Sequence, residues 1–186
     1  MAGKNSLPTF DNINNLPYSL ETEQAVIGSI LINPECVSVV LSHIKPDYFY
    51  MPQHKAIMEA IVVLDTLGSR IDALTVLDKL SANEDFDKEN GKNLLFQIAQ
   101  TVPSAANVEN YCKIVKEKYF LRSLITISRE TIDSALDGGA EADKILDSAE
   151  QKIYDIRQGR DARGLVPISD TLIEAYDRIN KLSGED

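Results

Sequence analysis

Apolar residues in this chain recur at intervals of three and four, and strict apolar–polar alternation is almost absent. No Asn-Gly or Asp-Gly turn joins two alternating runs, so the pattern predicts helices and no sheet. A polar leader covers residues 1–16. Ser19 then caps LETEQAVIGSILI, with Glu21 and Glu23 in the first turn, where the helix dipole favours anions, and Val26, Ile27, Ile30 and Leu31 on the buried face. Asn33-Pro34, a cap followed by proline at the first helical position, predicts a second helix to about His43. Pro52 opens a third, QHKAIMEAIVVLDTLG, with Ile57, Ile61 and Leu64 in register and Gly68 as its stop. Asp72 caps a fourth, ALTVLDKLSAN. NEDFDKENG (83–91) reads as a solvated loop, and KNLLFQIAQT as a short helix ended by Val102-Pro103. Residues 17–103 thus predict a globular cluster of five short helices.

The next segment differs in kind. From about Asn107 to Asp137 there is neither Gly nor Pro, which predicts a rod of roughly 45 Å at 1.5 Å per residue. Asp137-Gly138-Gly139 breaks it, and EADKILDSAEQKIYDIRQ follows with Ala142, Ile145, Ala149, Ile153 and Ile156 as one stripe. Residues 104–158 therefore predict an antiparallel helical hairpin. Its first rod carries apolar residues on more than one face, among them Ile114, Leu121, Ile127 and Ile132. One partner helix covers only one side, so the surplus is met by another chain or stays exposed. A Gly- and charge-rich linker and a last amphipathic helix, TLIEAYDRINKL, occupy 159–186, with Leu172, Ala175, Tyr176, Ile179 and Leu182 in its stripe. That helix folds back on its own domain, docks on a neighbour or frays. The expected class is all-α throughout.

Composition sharpens the picture mainly by exclusion. The chain has 186 residues, is 44 % hydrophobic and 26 % charged, and carries a net charge of −10. The first two figures describe an ordinary soluble globular chain; the last opposes autonomous binding to DNA or anionic lipid. There is no run of about 18 apolar residues and no secretory h-region near the start, and Cys36 and Cys112 sit among apolar neighbours. Buried reduced thiols and a cytoplasmic location follow as expectations, with no membrane. No phosphate-binding loop, HExxH or CxxC is present. His43 and His54 lack thiol companions at ligand spacing, and Asp85, Asp87 and Glu89 fall in the polar loop. No catalytic residue, metal or cofactor is expected on this chain. Lys113, Lys116, Lys118, Arg122 and Arg129 cluster on the rod; complementary helix-surface charge is the first reading, ahead of a docking surface for an acidic protein or a nucleic-acid stripe.

Four strings carry more. LPYSLETEQAVIGSILINPE (16–35), DYFYMPQHKAIMEAI (47–61), Ile71-Asp72 with Thr75, and TVPSAANVENYCKIVKEK (101–118) resemble the DnaB-type replicative DNA helicases, in order and spacing, and the likeness extends over residues 16–182. The resemblance implies an N-terminal helix cluster and hairpin, with a linker helix leading to a RecA-like motor that this sequence does not include. ATP, Mg²⁺ and translocation belong to that motor. It further implies that hairpins pair, that three pairs form a collar on a hexameric ring, and that the collar recruits a DnaG-type primase and, in some lineages, a loader. The linker helix packs against an adjacent motor, which assigns docking to Leu172, Tyr176 and Ile179. The oligomer or partner interface is expected on Tyr111, Val115, Tyr119, Arg122, Leu124, Ile125, Ile153 and Ile156, shared between the mate and packing within the hairpin. No direct nucleic-acid binding is expected. The alternatives are a free-standing helical adaptor or loader-like protein, and the helicase-binding domain of a primase. Gly28, costing about 1 kcal/mol relative to Ala inside a helix, marks a close-packing position.

Overall fold

The computed structural model describes residues 16–82, 88–102 and 104–158 and contains no strand among them. The chain divides into two compact units, Met1–Arg122 and Ser123–Asp186. Residues 1–15 of the leader, Asp85, Asp87, and the expected linker helix with Leu172, Tyr176 and Ile179 lie outside the described residues.

In the first unit, α1 (Leu20–Ile32), α2 (Val37–His43), α3 (Pro52–Thr66), α4 (Ala73–Ser81) and α5 (Lys88–Thr101) form the cluster. Val26, Ile27 and Ile30 of α1 meet Ile57, Met58 and Ile61 of α3, Val76 of α4, and Leu95 and Ile98 of α5 in one core, each 1 % exposed or less. Removing such side chains from water is the main stabilising term, about 1.5–3 kcal/mol each. The helix starts mostly follow the sequence. Ser19 Oγ accepts the Thr22 N–H, and Gly68 takes a φ of +62° just past α3. Asn33 makes no side-chain cap; Pro34 instead opens a 3₁₀ turn, Pro34–Cys36, and α2 begins only at Val37. The second helix is therefore shorter than predicted.

Two boundaries differ for reasons the packing supplies. Helix α5 starts at Lys88, inside the stretch read as loop, because Gly91 is buried and begins the stripe Gly91, Leu95, Ile98, Val102. A glycine at the first stripe position hides the period. At the far end of the cluster, Val108, Cys112 and Val115 of α6 (Val108–Asp137) belong to the same core as α1–α5. The contacts accordingly divide at Arg122, not at Pro103, where the sequence is punctuated. The predicted rod is realised as one 30-residue helix.

Helix α4 is secured by a reciprocal cap. Asp72 Oδ1 accepts the N–H groups of Leu74 and Thr75 at 3.0 and 2.9 Å, while Thr75 Oγ1 accepts the Asp72 N–H at 2.9 Å. These N–H groups, above all that of Thr75, hold the Asp72 carboxyl below its ordinary value. A carboxyl depressed in the folded state stabilises above the unfolded value, near pH 4, and loses that contribution as the pH falls through the folded value. Asp72→Ala is therefore expected to cost about 1 kcal/mol at pH 7, with the difference from the parent shrinking towards pH 3 in urea titrations.

The second unit comprises the remainder of α6 and α7 (Ala142–Arg157), joined through Gly138, whose φ is +64°. Lys152 Nζ donates to Glu130 Oε2 at 2.8 Å across the two helices. Among the described residues, no single helix is long and apolar enough to cross a membrane.

Candidate interaction surface

The second unit presents unpartnered apolar side chains. On α6, Ile127 is buried on the face shared with Glu130, Thr131 and Ser134, which line an open cleft of about 220 Å³ opposite Lys144, Ser148 and Lys152. Ile125, Ile132 and Leu136 point away from that face at 100° per residue, and Leu124 lies at its margin. Leu124 is 45 % exposed and Leu136 79 %, with Ile125 half-buried. Helix α7 adds Leu146, 60 % exposed, and Ile153 and Tyr154. The two-sided rod inferred from sequence is therefore present, with its second side uncovered among the described residues.

The predicted stripe of α7 needs two corrections, the first being that Ala142, at the start of the helix, is exposed. Ile145, Ala149 and Ile156 turn inward, but Ile153 does not. The register i, i+4, i+7, i+11 selects Lys152, whose stem covers apolar surface while its ammonium reaches Glu130. Ile153 is thereby left outside, as an interface residue requires, and Ile156 is used internally. Leu136, Leu146 and Tyr154 were not among the expected interface residues; the i, i+7 repeat of Leu146 and Ile153 is the signal for this flank.

Four other expected interface residues belong to the first unit and are largely consumed there. Val115 is in the core, and Tyr111 and Tyr119 are half-buried against it. Tyr119 stacks on Tyr48 with ring centroids 4.2 Å apart. Arg122 is only 9 % exposed. Its Nη1 donates to Pro17 O at 2.9 Å and its Nη2 to Tyr48 O at 2.6 Å, with the guanidinium 5.3 Å from the Tyr50 ring and 6.0 Å from Tyr119. Burial pulls its pKa down, opposed chiefly by the negative charge of Glu23; an arginine stays protonated regardless. Val115 and Arg122 are thus interior groups, because the first half of α6 is part of the cluster.

Glu23 lies in the first turn of α1, as its place after the Ser19 cap predicts, and has in addition a tertiary role. It is 2 % exposed. Oε1 accepts the Tyr50 N–H at 2.7 Å, and Oε2 accepts the Met51 N–H at 3.3 Å and binds His54 Nδ1 at 2.8 Å. An acceptor-only carboxylate there requires the proton on Nδ1. The turn before α3 is consequently held by its N–H groups from Glu23 and by the Tyr48 carbonyl from Arg122.

The remaining sequence candidates separate. Lys113 and Lys118 lie roughly 140° apart around α6, and Lys116 sits 5.6 Å from the centre of the Phe120 ring. With Arg122 interior, no continuous basic stripe forms on the first half of α6. Cys36 and Cys112 are free and buried; burial pushes the Cys36 thiol up and the Cys112 thiol up to about 12. Among the described residues, no group of three or more His, Cys, Asp or Glu side chains converges as a metal site.

Residues 15–117 match the model of the DnaB-like helicase N-terminal domain. The replicative DNA helicase DnaB of Geobacillus stearothermophilus is 34 % identical over 170 residues, 91 % of this chain and 37 % of that protein. The replicative DNA helicase DnaC of Bacillus subtilis is 34 % identical over 166 residues, again 37 % of its length. This chain therefore spans little more than a third of those relatives. Among solved structures, the N-terminal domain of DnaB helicase from Mycobacterium tuberculosis superposes with a TM-score of 0.71 at 33 % identity, covering 76 % of this chain and 99 % of that one. A DnaB-like replicative helicase, described with its interactions with primase, shares the fold at a TM-score of 0.62 and 22 % identity, over 87 % of this chain and 35 % of that one. The helix order, the α6–α7 pair and the matched strings agree with these likenesses, and the chain belongs to the DnaB-like helicase N-terminal domain family.

Proposed function

We propose that this chain is a collar module of a bacterial replicative helicase: copies associate through the α6–α7 surface, and the assembled collar docks a DnaG-type primase and, in some systems, a loader. The observation that carries the reading is the set of exposed apolar side chains that α6 and α7 carry on the second unit, Leu124, Leu136, Leu146 and Ile153. Exposed contiguous apolar area on a globular chain marks a contact surface. Primase docking draws its support from the solved helicase described with primase, to which this fold is similar. In this reading the linker segment, through Leu172, Tyr176 and Ile179, docks on a neighbouring motor. Unwinding, ATP and Mg²⁺ belong to that RecA-like motor, no residue of this chain contacts DNA directly, and the protein works in the cytoplasm. Family membership favours this reading over the helicase-binding domain of a primase.

Light scattering of the chain, alone and with purified primase, tests it. A mass above that of the monomer is expected at micromolar concentration. Leu124→Asp should weaken self-association by roughly 2 kcal/mol or more, about thirtyfold in Kd, and shift the mass towards the monomer. A parent chain that stays monomeric at high concentration, or a variant with an unchanged mass profile, overturns the hairpin interface.

A further inference from the structure

Arg122 sits at the last residue of the first unit and holds a carbonyl 105 residues earlier in the chain, that of Pro17. Pro17 lies in the extended segment Leu16–Ser19, which precedes α1. The other described tie of this segment to a distant part of the chain is aromatic. Tyr18, 47 % exposed, stacks on Tyr50 at 4.6 Å, and Tyr50 in turn lies under the Arg122 guanidinium. Segment, turn and helix are therefore joined in one tier: Tyr18 on Tyr50, Tyr50 against Arg122, Arg122 on Pro17. The two carbonyl bonds of Arg122 join elements that no secondary structure connects, and the fork of a guanidinium is the side chain that spans two acceptors at once.

We propose that Leu16–Ser19 is a releasable strap on α6: while it is seated, Arg122 holds both the Pro17 and Tyr48 carbonyls and α6 is tight around residues 119–126; when the strap is drawn away, this stretch of α6 loosens. The strap is suited to release because it is held by one carbonyl, one exposed ring and the half-buried side chains of Leu16 and Pro17, which lie outside the core. The strap and its anchors, Leu16–Ser19, Tyr50 and Arg122, lie outside the α6–α7 surface, although the stretch of α6 that it tightens includes Leu124.

Hydrogen exchange on the full chain tests the coupling. Tyr18→Ala, a change at an exposed side chain, should speed amide exchange at residues 119–126 by about fivefold through loss of the ring stack, leaving Ile57–Ile61 of α3 unchanged. Arg122→Lys, which supplies one point charge for two carbonyls, should speed it about tenfold or more. Because strap and guanidinium act as one unit, the double variant should exchange within about twofold of Arg122→Lys alone. Unchanged exchange at 119–126 in Tyr18→Ala overturns the proposal, as does equal acceleration at Ile57–Ile61. Multiplied effects in the double variant overturn it as well. If Arg122→Lys fails to fold, the Tyr18→Ala comparison alone decides.

Discussion

Glu23→Ala is expected to destabilise the chain by about 3–5 kcal/mol, the largest effect of any single truncation considered. The change strands three groups at once: the N–H groups of Tyr50 and Met51 and the Nδ1 of His54, all now bonded to one carboxylate. Each buried donor left without an acceptor costs roughly 1–3 kcal/mol. Arg122 also loses the charge that offsets its burial. In a chain of this size such a loss corresponds to a Tm lower by about 10–15 °C, readable by thermal denaturation followed by circular dichroism. Glu23→Gln keeps the shape and one acceptor oxygen, and should recover part of the deficit. A Tm within about 2 °C of the parent for Glu23→Ala would show that the buried carboxylate does not hold the turn before α3.

Gly28→Ala separates helix propensity from packing, because the two predict opposite signs. Inside α1, alanine should favour the helix by about 1 kcal/mol. In the fold, however, a Cβ at position 28 would lie 2.5 Å from Val102 Cγ2 and 2.8 Å from the Ile98 carbonyl oxygen. A side chain can rotate away; the backbone oxygen of α5 cannot move without shifting its helix. Overpacking of this kind costs roughly 1–3 kcal/mol, occasionally more, so a net loss of about 1–2 kcal/mol is expected in urea denaturation. Val102→Ala in the same background removes the closer clash and should restore some of the loss. A stabilised Gly28→Ala chain would mean that α1 and α5 are not in the close contact described.

These two residues also show what the sequence makes legible. Gly28 stands at a stripe position of α1, between Ile27 and Ile30, and its close-packing role is readable from the helix-breaking cost alone. Glu23, His54 and Arg122 are readable too, in a different way. Each occupies a core-facing register of its helix: Glu23 with Val26, Ile27 and Ile30; His54 with Ile57, Met58 and Ile61; Arg122 with Cys112, Val115 and Tyr119. Periodicity therefore marks three polar groups as interior. Their partners are not so marked: Glu23 and Arg122 bond backbone groups of a turn and an extended segment, 27 to 105 residues away, and His54 pairs with Glu23 across 31 residues. The helix dipole offers a local explanation for Glu23, and the tertiary acceptor role adds to it.

The hairpin surface illustrates the other limit. The rod, its length and its two apolar sides follow from spacing, but which end of the rod is free depends on how far the cluster reaches along α6. That reach is set by Val108, Cys112 and Val115 joining the core, a long-range fact that no local window contains. Likewise, Ile153 and Lys152 exchange roles through a one-residue choice of register, which an idealised stripe drawn through apolar letters gets wrong. The four matched strings sit in the first unit, so family likeness identifies the cluster more sharply than the proposed contact surface.

The sulfur atoms impose a rule on assembly. Both cysteines of the chain are enclosed in the helix cluster as protonated thiols, so no intact copy has a sulfur with which to tie itself to another. A disulfide between copies through Cys36 or Cys112 would therefore report chains whose helix cluster had already opened.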